Sequence, residues 1–347
     1  MRYFSMFSGI GGFEYGIQRA FDVQEERRRK ETTQGIDGEG DRLHPISEQR
    51  TSITRDTDNE HSNGCFNQGQ PHCIGYSEID KYAIKVYERN YNGHKNYGDA
   101  TKINPEELPD FDLLVGGFPC QAFSIAGKRR GFDDTRGTLF FDIARILAEK
   151  KPKHLVLENV KGLLSHDQGR TFQTILGVLA DLGYRVEWQV LNSKDFGVPQ
   201  NRERVFIVGH LGGEPRRKVF PITRDSSKNL KQLVGGSQGN RVYSTDGVSS
   251  TLASQAGGLG AKTGLYAIAN TLDANYHKGN SISSTRHTPR TQVLQNSRIR
   301  RLTPKECERL QGFPDDWTAG ESDTQRYKMC GNAVTTNVVT AVMEKLL

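Results

Sequence analysis

A cysteine at position 120 stands in the run Gly116-Gly117-Phe118-Pro119-Cys120-Gln121-Ala122-Phe123-Ser124. The apolar stretch 111–115 before it reads as a strand, so the thiol falls just past a strand end, in a loop after a proline. A lone cysteine is commonly a small buried hydrophobe. Here the glycine-flanked position suits a nucleophile instead, and the nucleophile is the thiolate. Free thiols ionise near pH ~8.5, so a positive neighbour would assist. A second group is Phe7-Ser8-Gly9-Ile10-Gly11-Gly12, which follows a short apolar strand. Glycines at a strand-to-helix turn let a ligand approach the backbone closely, although a plain tight turn explains them equally well. They are not the dinucleotide fingerprint, because Glu14 occupies the place of its last glycine; that counts against a nicotinamide-dependent dehydrogenase. Glu78 ends the next strand, where an acid commonly holds ribose hydroxyls. His61, Cys65, His72 and Cys73 fit no standard zinc spacing, so no metal site is expected.

Elements that position these residues follow an alternating rhythm. Strands are expected over 3–7, 74–77, 111–115, 154–157, 186–191 and 204–208, and helices over 13–21, 82–91, 139–150 and 172–182, the last stopped by Gly183. Strands alternating with helices predict a mainly parallel α/β sheet with its site at the carboxyl ends of the strands. Residues 24–70 are rich in charge, Gly, Asn, Gln, Ser and Thr and read as an inserted flexible segment. From 212 to 297 helical periodicity fades, which suggests a smaller loop-rich domain. After residue 298 helix signals return: Thr303-Pro304-Lys305-Glu306 is a helix start, and 334–347 a closing helix. The expected organisation is therefore 1–211, 212–297 and 298–347, the last segment rejoining the first.

The bulk properties agree with an acidic partner. Lys and Arg total 47 against 41 Asp and Glu, giving a formal charge of +6, a balance that suits a polyanion without proving one. Five scattered cysteines argue against a disulfide framework and for a reducing compartment. The N-terminus lacks the apolar run of a signal peptide, and no stretch reaches membrane-span length. A soluble, cytoplasmic protein without membrane contact is the expectation.

The cysteine run resembles the catalytic motif of the C5-cytosine DNA methyltransferases, and further segments match that family in order. Phe7 to Gly12 is similar to its cofactor loop, Glu78 to its ribose acid, and Gly98-Asp99-Ala100-Thr101 to the stretch whose Asp reaches adenine. Arg136-Gly137-Thr138-Leu139-Phe140 resembles the segment after its mobile loop, Glu158-Asn159-Val160 its catalytic acid, and Gln200-Asn201-Arg202-Glu203-Arg204 its paired-arginine motif. The 301–314 and 331–334 segments resemble its last two motifs.

The resemblance implies a Rossmann-like S-adenosylmethionine-dependent methyltransferase sheet carrying a target-recognition domain over 212–297. It implies a DNA (cytosine-5-)-methyltransferase in which Cys120 attacks C6 of a cytosine flipped out of the duplex. Glu158 would serve N3 as acid, Arg204 would hold O2, and Arg202 would lie beside them to orient loop and phosphate. Phe7, Gly9, Gly11, Gly12, Glu78, Ile79, Asp99, Pro119, Leu139, Asn332 and Val334 are its implied cofactor residues. Double-stranded DNA is the implied partner, met by Gln121, Ser124, Lys128, Arg129 and Arg136 in a closing loop. Sequence reading would fall to the 212–297 domain, with Thr251 or Thr271 in its Thr-Leu pair and Arg241, Gln255, Lys262, Asn275, Arg286 or Arg290 as base readers. A monomer and a cognate restriction endonuclease, as in a restriction-modification system, complete the expectation. The rivals are a tRNA methyltransferase of the same family and a catalytically silent DNA-binding protein.

Overall fold

The structure, a computed structural model, describes residues 1–34, 70–119, 139–212, 218–223 and 302–347, and the backbone of short strands between 232 and 301. In chain order the elements are β1 (Arg2–Met6), α1 (Gly12–Gln34), β2 (His72–Ser77), α2 (Lys81–Asn90), β3 (Leu113–Gly117), α3 (Leu139–Lys150), β4 (His154–Val160), α4 (Arg170–Asp181), β5 (Tyr184–Asn192), β6 (Gln200–Asn201) and β7 (Glu203–Leu211). Then follow β8 (Gln232–Val234), β9 (Val242–Tyr243), β10 (Ala269–Asn270), β11 (Gln292–Gln295), β12 (Arg298–Arg301), α5 (Pro304–Leu310), α6 (Asp323–Asn332) and α7 (Thr336–Leu346).

Six strands form one sheet in the order β2-β1-β3-β4-β7-β5. The first four run parallel, and β7 pairs antiparallel with both β4 and β5. The expected mainly parallel sheet is therefore present, closed by an antiparallel pair at one edge. Strand order reverses at β1, with β2 on one side and β3 on the other. The carboxyl ends of β1 and β3 flank the crevice where ligands bind in open α/β sheets. Residues Leu113, Leu114, Val115, Leu155, Val156 and Leu157 are fully buried, as strands covered by helices on both faces must be.

Helix α7 returns the chain end to its beginning. Ile17 and Ala20 of α1 share a buried cluster with Val338, Val339, Val342 and Met343 of α7. Gly16 makes the close approach, since a Cβ there would lie 2.6 Å from Val339. Thr303 starts α5 with a reciprocal capping box to Glu306 and Pro304 in the first turn.

One boundary departs from the sequence reading. Helix α1 continues to Gln34 instead of giving way near residue 24 to a flexible insert. The run Glu25-Glu26-Arg27-Arg28-Arg29-Lys30 is polar, but it consists of good helix formers. Glu25 and Arg29 pair one turn apart, and Arg27 reaches Glu344 of α7 at 2.7 Å. Among the described residues His72 and Cys73 lie in β2, where the Cys73 thiol donates to the Gly75 carbonyl. Residues 35–69, the run from Cys120 to residue 138 (with Gln121, Ser124, Lys128, Arg129 and Arg136), Thr251, Thr271 and the six base readers lie outside the described residues.

Candidate active site

The glycine loop after β1 turns through left-handed backbone at Phe7 (φ 55°), Gly9 (φ 57°) and Gly11 (φ 84°). For Phe7 that conformation costs ~1–3 kcal/mol, a strain typical of ligand-binding turns. Glycine at 11 is required twice over. Its φ suits no side chain, and a Cβ would meet the Tyr91 ring at 2.2 Å. The Tyr91 hydroxyl in turn donates to the Gly11 carbonyl at 2.9 Å, and the Trp317 indole to that of Ile10 at 2.9 Å. A Cβ on Gly12 would lie 2.8 Å from Val334; Val334 thus supports the loop from behind.

Glu78 joins this loop to the end of β2. One carboxylate oxygen accepts from Gly9 N at 2.8 Å, and the other accepts from Ile79 N and Asp80 N, each at 2.8 Å. Two oxygens with about four acceptor positions hold three amide protons, which leaves one position for a ligand hydroxyl. Ile79 is 72% exposed beside it, an apolar side chain left largely uncovered by the described residues. Asp99 caps the short 100–102 turn, one oxygen accepting from Thr101 N and Oγ1, and is not among the residues that line the cleft. Leu139, at the start of α3, also stands outside the cleft lining.

The opposite end of the cleft is built by β3, β4 and β7. Gly117 is the cross-strand partner of Glu158, and Val160 that of Arg204. Glu158 and Arg204 are therefore diagonal neighbours on one face of the sheet, and Arg204 Nε lies 2.9 Å from Glu158 Oε1. Any Cβ at 117 would press on Glu158 Oε2 from 3.2 Å. Asn159, pointing the other way, donates to the Phe118 carbonyl at 2.9 Å and accepts from Val160 N. It thereby pins the turn that leads through Pro119 to residue 120.

Arg202, expected close to Arg204, lies in the same wall and is held by backbone. Only 2% exposed, its guanidinium donates to the carbonyls of Gly331 (3.2 Å) and Ala333 (2.9 Å). Burial, aided by the Arg204 charge, lowers its pKa to about 9. Arg202 falls in the break between β6 and β7, whereas Arg204 lies within β7. Alternation would set residues two apart on one face, so the spacing alone does not say that backbone carbonyls hold Arg202 while Arg204 pairs with Glu158. Arg202 is a positioning residue that ties the β6–β7 corner to the 331–334 segment.

These pieces enclose one cleft of about 370 Å³, within the range of about 300–1,000 Å³ common for small-molecule sites. It brings together Phe7, Gly9, Glu78, Pro119, Glu158, Arg202, Arg204 and Asn332. Gly11, Gly12, Ile79, Asp99, Leu139 and Val334 are not in its wall. The arrangement fits S-adenosylmethionine: a Cβ on Gly9 would meet nothing within 4 Å, so bare backbone faces the ligand, with a carboxylate beside it. The wall also contains residues to which the sequence assigns no individual role, among them Asp80, Asn159, Met329 and Gly331. Asp80 carried a usable signal, as an N-cap type just before the helix at Lys81. Asn159 and Gly331 fall inside the Glu158-Asn159-Val160 and 331–334 runs, and Met329 carries no signal.

Comparison with known proteins gives a family. The C-5 cytosine-specific DNA methylase family model matches residues 63–347. The Type II methyltransferase M.SsoII of Shigella sonnei is 43% identical over 286 residues, covering 78% of this chain and 73% of that protein. The Type II methyltransferase M.HhaI of Haemophilus parahaemolyticus is 38% identical over 305 residues, covering 77% and 85%. Among solved structures, the S. pombe Dnmt2 methyltransferase superposes with a TM-score of 0.58 at 17% identity, over 100% of this chain and 98% of the other. A Spodoptera frugiperda DNMT2 triple mutant gives 0.60 at 16%, over 99% of each. At those identities the structural likeness speaks for the fold.

Proposed function

The chain belongs to the C-5 cytosine-specific DNA methylase family, and we propose that the cleft between β1, β3 and β4 is where it does its chemistry. It is a DNA cytosine-5 methyltransferase that uses S-adenosylmethionine. The proposal concerns which residues do the work. S-adenosylmethionine, when bound, supplies an electrophilic methyl group. Glu78 and the backbone of Gly9 hold its nucleoside end, and Asn332 and Pro119 line the path toward the base.

Cytosine C5 is too weak a nucleophile to take a methyl unaided. Cys120 adds its thiolate to C6, forming the S–C6 bond and pushing the C5–C6 electron pair into the ring. Glu158 delivers or shares a proton at N3, where that charge collects. Arg204, already beside Glu158, holds O2. After C5 is methylated, loss of its proton expels Cys120 as thiolate and restores the aromatic ring. Because C5 is inaccessible in stacked DNA, the base must leave the duplex to reach the cleft.

The observation that carries the assignment is the Glu158–Arg204 pair at 2.9 Å in the wall that Pro119 completes just ahead of Cys120. Residues 212–297 serve as the target reader, and the chain acts as a monomer, paired with a cognate endonuclease in a restriction-modification system. No helix among the described residues is long and apolar enough to cross a membrane. The test is incubation with labelled S-adenosylmethionine and mixed-sequence duplex DNA, followed by base-resolved sequencing. 5-Methylcytosine at one defined sequence is expected. Label at adenine, or equal label on tRNA, refutes the reading. Replacing Cys120 with Ser must abolish the label while DNA still binds.

A further inference from the structure

Polar contacts run in a chain along the cleft. Gly9 N donates to Glu78; Glu78 accepts from Asp80 N; Asp80 meets Lys328; Lys328 lies on α6, which ends at Gly331 and Asn332; and the Gly331 carbonyl accepts from Arg202. Every other link through a side chain in this chain of contacts uses a backbone group as its partner. The Lys328–Asp80 link alone joins two side chains, and it ties the N-cap of α2 to α6.

Asp80 is engaged on both oxygens. Oδ1 caps α2, accepting from Tyr82 N at 2.9 Å and Ala83 N at 3.4 Å, while Oδ2 lies 2.6 Å from Lys328 Nζ. The ammonium and these amides hold the Asp80 carboxyl below its ordinary range. Beneath the pair, Ile10, Ala83, Met329 and Ala333 form one apolar cluster, so the two walls already touch. What the ion pair adds is a fixed spacing at the rim. Asp80 and Met329 both line the cleft, yet Lys328 does not. It can act on a ligand only through Asp80 and the turn Asp80 shares with Glu78.

We propose that Lys328 is a positioning residue for S-adenosylmethionine, clasping Asp80 so that Glu78 and the Gly9 loop are held at the spacing the cofactor needs. This rests on the cofactor lying at the Glu78 end of the cleft. Losing the clasp weakens cofactor binding and leaves the base-handling end, Glu158 and Arg204, as it is. With side chains 42% and 27% exposed, the pair is partly screened, and affinity should fall with salt in the wild type.

The test compares K328M, K328R and E78Q by calorimetric titration of the full-length protein with S-adenosylhomocysteine, alongside steady-state kinetics. K328M should raise Kd and the KM for S-adenosylmethionine about fivefold, the upper end for a partly exposed ion pair, with kcat within about twofold. K328R should restore most of the affinity, and the salt dependence of Kd should flatten in K328M. An unchanged Kd in K328M alongside a weakened E78Q overturns the clasp alone. If both variants bind as the wild type does, the cofactor placement is wrong and the clasp falls with it. A fall in kcat at constant Kd also contradicts the assignment, since it would place Lys328 in the chemical step.

Discussion

Glu14 sits one helical turn behind the cofactor loop, 1% exposed, in the first turn of α1. Its Oε1 accepts from the Tyr87 hydroxyl at 3.0 Å, and that hydroxyl also meets His94 Nδ1 at 3.1 Å. Burial raises the Glu14 pKa from 4.5 to about 7, and the hydrogen bonds offset only part of the effect. A carboxyl whose folded pKa lies above its unfolded one costs stability as it is forced to ionise. Below pH ~4.5 both states hold the proton and there is no cost. Between ~4.5 and ~7 the unfolded chain ionises first, so stability falls as pH rises; above ~7 the cost is constant. About two and a half units at 1.36 kcal/mol each gives roughly 3 kcal/mol. Glu14→Gln keeps the shape and removes the titration. The assay is urea unfolding of both proteins from about pH 5 to pH 8, taking the difference between them so that other groups cancel. The variant's advantage over wild type should grow by about 2.5 kcal/mol across that range, most of it before pH ~7. A difference that does not change with pH refutes the argument.

Other perturbations follow from the same geometry. Gly11→Ala should cost ~2–4 kcal/mol from left-handed strain and overpacking against Tyr91, and calorimetry should show cofactor affinity weakened more than about tenfold. Arg202→Met strips two hydrogen bonds from buried carbonyls and should lower the urea-unfolding free energy by about 2–4 kcal/mol, with little gain if Lys is used instead. Glu158→Gln should cut kcat by about 10²–10⁴ in a single-turnover methylation assay while S-adenosylmethionine still binds.

How far the sequence revealed this protein depends on the kind of residue. The α/β alternation was plain because β3 and β4 are buried on both faces and so read as continuous apolar runs. The Thr303 capping box and the α7 helix were legible for equally local reasons. The antiparallel setting of β7 was not, since periodicity within one strand carries no direction. The far end of α1 was misread because a charged run looks alike as loop or as solvated helix, and the partner that favours helix, Glu344, lies more than 300 residues away. At the site, Glu78, Glu158 and Arg204 stood in recognisable runs. That backbone carbonyls hold Arg202 while Arg204 meets Glu158 is set by the fold and not by the spacing of the two arginines. Asp80 and Lys328, 248 residues apart, meet only in the fold.

The central claim is a transient bond between the sulfur of residue 120 and a cytosine ring. Duplex DNA with 5-fluorocytosine at the methylated position removes the proton whose loss would free the enzyme. With S-adenosylmethionine present, the account predicts a stable protein–DNA adduct that peptide mass spectrometry maps to Cys120. Full turnover without an adduct, or a crosslink at another residue, would contradict it.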